Sequence, residues 1–146
     1  MKNLTKLIVT VFYLGFIPFM PGTIASLAAL LIFYFLKTHT VFIFFLTVIS
    51  GLLGFLFCGK AEKIFKKKDA KFIVIDEFFA MSAVLMLIKP RGFVLLLSFI
   101  LFRIFDITKL WPIKKIERYS GSRGVMLDDC LAALYTLIIT RAIMFF

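Results

Sequence analysis

Arg103, Asp106 and Lys109 follow one another at intervals of three residues, in a polar stretch between two strongly apolar segments. On a helix this spacing places neighbouring side chains along one face, which then presents a cation, an anion and a cation. Two pairs of adjacent acids, Asp76-Glu77 and Asp128-Asp129, lie near the beginnings of apolar segments. Carboxylates beside arginine and lysine suit a phosphate group bridged by a divalent metal, so these residue types predict metal-assisted phosphate chemistry.

The same residues also allow a purely structural interpretation. Basic side chains at a membrane surface, Trp111 as an interfacial anchor and acids near a helix N-terminus produce a similar pattern without any reaction. The pair Asp76-Glu77 argues against the purely structural interpretation, because acids inside an apolar segment are costly unless they are paired, hydrated or metal-bound. A structural ion pair of these acids with Lys71 or Arg103 is the alternative for that position.

The composition indicates an integral membrane protein. The chain has 146 residues, of which 62% are hydrophobic, and a mean hydropathy of +1.05, which is too apolar for a soluble domain of that size. The length predicts a single domain over residues 1–146. Both cysteines, Cys58 and Cys130, fall at predicted cytosolic segment ends, where a structural disulfide is not expected.

The net charge of +10 predicts an anionic lipid as the partner. The basic residues are gathered between apolar segments, where the positive-inside rule accounts for them, so nucleic acid is excluded as a partner. No obligate protein partner is inferred.

Proline, glycine and charge divide the chain into six apolar segments. Pro21-Gly22 separates the first two, and each of these is too short for a full crossing at ~1.5 Å per residue. The segments are Leu7–Met20, Ile24–Leu36, Val41–Cys58, Phe72–Ile88, Gly92–Phe105 and Val125–Phe146. Apolar residues at helical spacing after Cys58 predict that the third helix continues as an amphipathic extension. We expect an all-α membrane bundle of about six helices, four or five of them embedded, with the first spanning or lying in the interface.

The basic stretches predict the orientation of the chain in the membrane. Lys60–Lys71 and Arg103–Arg123 are both rich in lysine and arginine, and the positive-inside rule places them in the cytosol. Phe72–Phe105 must then cross the bilayer outward and return. The three groups of acids and the turn Pro21-Gly22-Thr23 thereby converge at the cytosolic face of the membrane, which favours an active site there.

The sequence lacks the signatures of other phosphatase chemistries. It has one histidine, His39, whereas histidine-dependent lipid phosphatases need at least two, and neither cysteine is followed by arginine six residues on. It also contains neither a D-x-D-x-[TV] nucleophile motif nor a spaced-aspartate alcohol-phosphotransferase motif. Metal-assisted hydrolysis is the chemistry that remains.

Four motifs occur in order along the chain. They are Pro21-Gly22-Thr23 with Ser26, Ile75-Asp76-Glu77, Phe102-Arg103-x-Phe105-Asp106-x-x-Lys109-x-Trp111-Pro112, and Gly124-Val125-Met126-Leu127-Asp128-Asp129. Together they resemble the phosphatidylglycerophosphatase A family, and the likeness extends from about residue 5 to residue 140. The resemblance implies a small all-helical enzyme of the bacterial cytoplasmic (inner) membrane. Such an enzyme removes the terminal phosphate of phosphatidylglycerophosphate with Mg²⁺, which yields phosphatidylglycerol.

The chain departs from the family where glycine is usual. Ala25, Ala80, Ser122 and Ala133 stand at those positions. Most of these changes add one methyl group, so they should alter helix packing slightly while every ionisable position stays filled.

Roles for the metal-binding residues follow from the residue types and the resemblance together. One or two Mg²⁺ are expected at five carboxylates, namely Asp76, Glu77, Asp106, Asp128 and Asp129. Adjacent acids on a helix point about 100° apart, so each pair is expected to supply one direct ligand and one supporting or base residue. Asp76 or Asp128 orients the attacking water, and no sequence argument separates the two.

The phosphate is expected to bind to the basic residues. Arg103 and Lys109 contact its oxygens, while Thr23 and Ser26 donate further hydrogen bonds near a helix N-terminus that Thr23 caps. A phosphatase for another anionic phospholipid is the nearest alternative function. A non-enzymatic cation-binding scaffold or channel subunit is the other, although a pore would present polar residues through the depth of the bilayer.

Overall fold

The computed structural model describes residues 2–116 and 118–145, which form seven α-helices and no strand. The helices are α1 (Lys2–Val9), α2 (Pro21–Leu36), α3 (Thr40–Phe65), α4 (Ile75–Ile88), α5 (Phe93–Thr108), α6 (Ile113–Ile116) and α7 (Ser122–Phe145). A short 3-10 turn, Leu14–Phe16, lies between α1 and α2. The predicted all-α fold is confirmed, with the four-residue α6 as an addition to the expected helices.

The central helix is α4. It packs against α2, α3 and α7, and α5 packs against α7 on the far side. Phe78, Met81 and Leu85 of α4 are buried, because a helix that is apolar on all sides must be enclosed by other helices or by lipid. The first turn of this enclosed helix carries Asp76 and Glu77, so packing alone brings two acids into the interior of the bundle.

The sequence predicted one apolar helical segment over residues 7–20. The structure instead ends the first helix within this segment. Helix α1 ends at Val9, and Val11, Phe12 and Tyr13 have positive φ angles. That left-handed conformation is incompatible with a continuing right-handed helix. The Val74 N–H donates to the Val9 carbonyl at 2.9 Å, so the chain after α1 is tied to the residue that precedes α4.

Helix α2 begins at Pro21, earlier than the predicted Ile24. Proline suits the first position of a helix because its missing N–H has no intrahelical partner there. Met20 is the N-cap residue, and Thr23 lies within the first turn. The prediction that Thr23 caps this helix is therefore wrong.

Helix α3 continues to Phe65, which confirms the predicted extension beyond Cys58. Its 26 residues span ~39 Å at ~1.5 Å per residue, which exceeds the ~30 Å hydrocarbon core. Among the described helices it is the one long and apolar enough to cross a bilayer. The fold is thus consistent with a small helical membrane bundle, and the number of embedded helices stays a prediction.

The positions where alanine or serine replaces the usual glycine lie at helix contacts. Ala25, Ala80 and Ala133 are almost completely buried. The Ser122 hydroxyl accepts a hydrogen bond from the Gly59 N–H at 2.7 Å. Small side chains at these sites keep the helices close, as is typical of membrane bundles.

Candidate active site

A cavity of about 460 Å³ lies where the beginnings of α2 and α4, the end of α5 and α7 meet. It is lined by the acids and bases that the sequence had singled out as a catalytic group: Asp76, Glu77, Arg103, Asp106, Lys109, Asp128 and Asp129. Four separate segments of the chain contribute to it. The predicted convergence of these segments is therefore present in the structure.

Three of the carboxylates form a cluster that we call the acid triad, Asp76, Glu77 and Asp129. One oxygen from each lies within 4.8 Å of the others, and Asp76 and Asp129 are 5% and 3% exposed. Asp76 Oδ1 and Glu77 Oε2 are buried and have no hydrogen-bond partner in the described part of the chain. Buried carboxylates without partners are unfavourable unless a cation neutralises them. Since hard divalent cations prefer oxygen ligands, the acid triad fits one.

The two acidic pairs contribute unequally to the acid triad. Asp76 and Glu77 both reach it, whereas Asp129 joins it without its neighbour Asp128. Glu77 has space to reach the acid triad because of the first turn of α2, where a Cβ atom on Gly22 would collide with Glu77 Oε1. Glycine at this position gives the Glu77 carboxylate the space to lie beside Asp76.

Arg103 and Asp106 share one face of α5, as the spacing predicted. Arg103 Nη1 lies 2.6 Å from Asp106 Oδ2 and 4.0 Å from Glu77 Oε1. The Asp106 carboxyl lines the same cavity as Asp129. Asp106 therefore pairs with a guanidinium group that also approaches the acid triad.

Lys109 reaches the cavity from just beyond the end of α5. It has a left-handed backbone with φ 43°, and its N–H donates to the Phe105 carbonyl, a common way to end a helix. Lys109 Nζ lies 2.7 Å from Asp128 Oδ2, and Asp128 Oδ1 accepts from the Asp129 N–H at 3.0 Å. Asp128 is thus held by a lysine rather than by the acid triad.

The structure does not bring Ser26 and Thr23 into the acidic cavity. Ser26 is fully buried, and its hydroxyl donates to the Gly22 carbonyl at 2.9 Å. Thr23 lines an apolar groove beside the cavity instead.

Two residues that line the cavity, Asp69 and Lys71, were absent from the predicted site. They belong to the lysine-rich stretch Lys60–Lys71. From the sequence, its positive charge was attributed only to the orientation of the chain in the membrane. The Asp69 N–H and the Gly121 N–H donate to the two Glu62 carboxylate oxygens at 2.8 and 3.0 Å. This contact ties the loop to the beginning of α7. The signal available in the sequence was an isolated acid in a basic loop shortly before Asp76.

Comparison with known proteins agrees with the motifs. A family model described as phosphatidylglycerophosphatase A matches residues 7–144. The phosphatidylglycerophosphatase A of Escherichia coli is 32% identical over 149 residues, which cover 100% of this chain and 84% of the relative. That of Haemophilus influenzae is 36% identical over 130 residues, or 86% of this chain and 79% of the relative.

A third relative carries a different name. A protein of Bacteroides thetaiotaomicron, named as a candidate phosphatidylinositol-3-phosphatase, is 34% identical over 144 residues, or 93% of this chain and 91% of the relative. No solved structure matches the chain. Since the family match covers nearly all of the sequence, the chain belongs to the phosphatidylglycerophosphatase A family.

Proposed function

We propose that the protein hydrolyses the terminal phosphate monoester of phosphatidylglycerophosphate to phosphatidylglycerol and inorganic phosphate. The observation that carries this proposal is the acid triad beside Arg103 and Lys109 in one cavity, in a chain of this family. The Escherichia coli and Haemophilus influenzae relatives bear the name of this activity.

Arg103 and Lys109 bind the terminal phosphate in this proposal. Each is held by an acid in the structure, Arg103 by Asp106 and Lys109 by Asp128. The phosphate oxygens replace or share these contacts, and the guanidinium group can donate two parallel hydrogen bonds to a phosphate.

The acid triad is the proposed site of a Mg²⁺ ion, with Asp106 at its edge. The unpartnered oxygens of Asp76 and Glu77 support this assignment, because Mg²⁺ prefers carboxylate oxygens and retained water. When bound, Mg²⁺ supplies Lewis-acid stabilisation of the charge that accumulates on the phosphate oxygens.

Asp128 is the proposed general base. Asp76 is occupied within the acid triad, whereas Asp128 lies outside it and, in the described part of the chain, contacts Lys109 and a backbone N–H. As Lys109 turns towards the phosphate, an oxygen of Asp128 becomes free to accept the proton of the attacking water. Water oxygen forms a bond to phosphorus, the bond to the glycerol oxygen breaks, and that oxygen takes up a proton.

The proposed location is the bacterial inner membrane, with several crossings and the cavity facing the cytosol. Helix α3 is long and apolar enough to cross a bilayer. The basic loops around the cavity support a cytosolic orientation through the positive-inside rule.

Another phospholipid monophosphate is the second candidate substrate. The Bacteroides relative, named for activity on an inositol lipid, favours this alternative. The same acids and bases would serve, since only the headgroup beyond the phosphate differs.

Phosphate release by the detergent-purified protein tests both candidates. Phosphatidylglycerophosphate, phosphatidylinositol 3-phosphate and phosphatidic acid are compared at equal surface concentration, with Mg²⁺ and with a chelator. We expect the fastest release from phosphatidylglycerophosphate and a loss of release with the chelator. Faster release from the inositol lipid would reject the proposed substrate but keep the chemistry, and release from none would reject the phosphatase.

A further inference from the structure

An apolar groove adjoins the acidic cavity on the side of α5. It has a volume of about 340 Å³ and lies between the beginning of α2 and the outer face of α5. Met20, Arg103 and Ile107 line both this groove and the acidic cavity. The two spaces are therefore neighbours with a common wall, on which the phosphate-binding Arg103 lies.

The α5 wall of the groove is apolar and exposed. Ile100, Ile104 and Ile107 are 44%, 47% and 60% exposed, and their spacing of four and three residues places them on one helix face. Met20, at the mouth, is 61% exposed. In a membrane bundle such a face is in contact with lipid.

Thr23 lines this groove from α2, and its hydroxyl is buried behind the groove surface. Thr23 Oγ1 is buried and has no hydrogen-bond partner among residues 2–116 and 118–145. A buried hydroxyl without a partner is unfavourable. Rotation of the Thr23 side chain about χ1 would turn the hydroxyl towards a ligand oxygen in the groove.

We propose that the groove between α2 and α5 binds the diacylglycerol end of the substrate lipid, so that the lipid reaches the cavity sideways from the bilayer. This inference rests on the proposed function. The terminal phosphate lies at Arg103, the headgroup linker passes Thr23, which donates to one of its oxygens, and an acyl chain runs along Ile104 and Ile100. The continuity of a polar cavity with an apolar groove matches the two ends of a phospholipid.

A larger apolar groove is less suitable. It has a volume of about 520 Å³, and Leu7, Ile32 and Leu46 are among its lining residues. None of its lining residues also lines the acidic cavity. A lipid held there would not place its headgroup directly against Arg103, so this second groove serves as the competing site in the test.

The test compares a dioleoyl substrate with its deacylated, water-soluble headgroup phosphate. Ile104→Trp fills the groove, so the ratio of kcat/KM for the lipid to kcat/KM for the deacylated compound should fall about tenfold, equivalent to about 1.4 kcal/mol. Leu56→Trp, at a 61% exposed position on α3, is the matched control and should leave that ratio unchanged. Equal ratios in the two variants would overturn the proposal.

Thr23→Val tests the hydroxyl. Both substrates contain the headgroup linker, so KM should rise by a similar factor for the lipid and for the deacylated compound. An unchanged KM for both substrates would show that the Thr23 hydroxyl does not contact the substrate.

Photolabelling separates failure of this inference from failure of the proposed function. A phospholipid monophosphate with a diazirine on its acyl chain should label peptides of α2 and α5 in the wild-type protein, and Ile104→Trp should reduce that labelling. If the wild type releases phosphate but the label falls on α1 and α3, the acyl site is wrong. If it hydrolyses neither substrate, the proposed function fails, and the labelled peptides still decide whether the groove binds lipid.

Discussion

Gly22 has no side chain, and the Glu77 carboxylate occupies the space that a Cβ atom would need. The close contact between the first turns of α2 and α4 therefore depends on one residue. Glycine is costly in a helix because of its backbone freedom, yet here its small size positions an acid of the triad. The Pro21-Gly22 sequence thus contributes to the site through backbone proximity rather than through a helix cap.

Gly22→Ala should displace the Glu77 carboxylate from the acid triad. Since a displaced ligand weakens metal binding, the Mg²⁺ concentration for half-maximal activity should rise by about tenfold or more. Helix stability should change little, because alanine is the better helix former and the Glu77 side chain can move. Mg²⁺ titration of activity, together with thermal unfolding, measures both effects.

A double variant checks the reason for that change. Glu77→Asp shortens the side chain and relieves the collision, so adding Gly22→Ala to Glu77→Asp should have little additional effect. An unchanged Mg²⁺ requirement in Gly22→Ala would show that the Glu77 carboxylate is not a ligand.

Asp106→Asn tests the acid that pairs with Arg103. The amide oxygen can still accept a hydrogen bond from Arg103, so the protein should fold. Loss of the negative charge should lower turnover by about 10²–10³, the scale of one electrostatic contact in a transition state, and weaken the Mg²⁺ dependence. Turnover per folded molecule and melting temperature are measured on the detergent-purified protein.

Glu62→Gln is the matched control for Asp106→Asn. Glu62 accepts two backbone hydrogen bonds that join loops, so this variant should lose stability and keep its turnover per folded molecule. If Asp106→Asn behaves in the same way, or retains turnover at saturating Mg²⁺, Asp106 only neutralises Arg103.

At the scale of elements, glycines on α3 allow this helix to pack closely against α4 and α7. A Cβ atom on Gly51 would lie 2.7 Å from the Phe79 ring of α4, and one on Gly54 would collide with the Met126 side chain of α7. Met126 itself is fully buried. These contacts hold α3 against the two helices that carry the acid triad, so their packing positions the site indirectly.

Gly54→Val should separate α3 from α7. Overpacking a core usually destabilises by about 1–3 kcal/mol, and denaturant unfolding in detergent should show a loss of that size. Leu52→Ala, at a 59% exposed position on the same helix, should have a much smaller effect.

Met126→Ala in the Gly54→Val background should recover part of the lost stability. The two side chains compete for one space, so their effects on the free energy of unfolding should be coupled. Strictly additive effects would show that Gly54 does not pack on Met126.

At the scale of the whole molecule, the acidic cavity lies where α4 begins and α5 ends. The turn Lys89–Gly92 joins the opposite ends of these two helices. Orientation in the membrane decides which compartment supplies the water and receives the phosphate. The positive-inside rule predicts the cytosol.

Single cysteines at Asn3, Arg91 and Tyr119, in a background of Cys58→Ala and Cys130→Ser, report this orientation. An impermeant maleimide should label the Arg91 position in intact cells, and the Asn3 and Tyr119 positions only after permeabilisation. Labelling of Asn3 from outside alone would contradict a cytosolic N-terminus, and labelling of Tyr119 from outside would reverse the orientation of the cavity.

The sequence by itself determined the helical class, most helix positions and the set of acids and bases that lines the cavity. Hydropathy and helical spacing are local properties of the chain, so α3 could be predicted to continue past Cys58 to Phe65. The pairing of Arg103 with Asp106 was predictable for the same reason, because both lie on one helix. The break after Val9 was missed, since the apolar pattern continues through residues whose backbone is left-handed.

Tertiary structure alone decided which acids lie close together. Asp76, Glu77 and Asp129 form the triad while Asp128 pairs with Lys109, although the two acidic pairs look alike in the sequence. Asp69 lines the cavity in a loop whose backbone donates a hydrogen bond to Glu62. The Ser26 hydroxyl donates to the backbone of its own helix instead of facing the cavity. Distances between side chains of different helices depend on how closely those helices pack, and at Gly22 the Glu77 carboxylate occupies the space that a Cβ atom would fill.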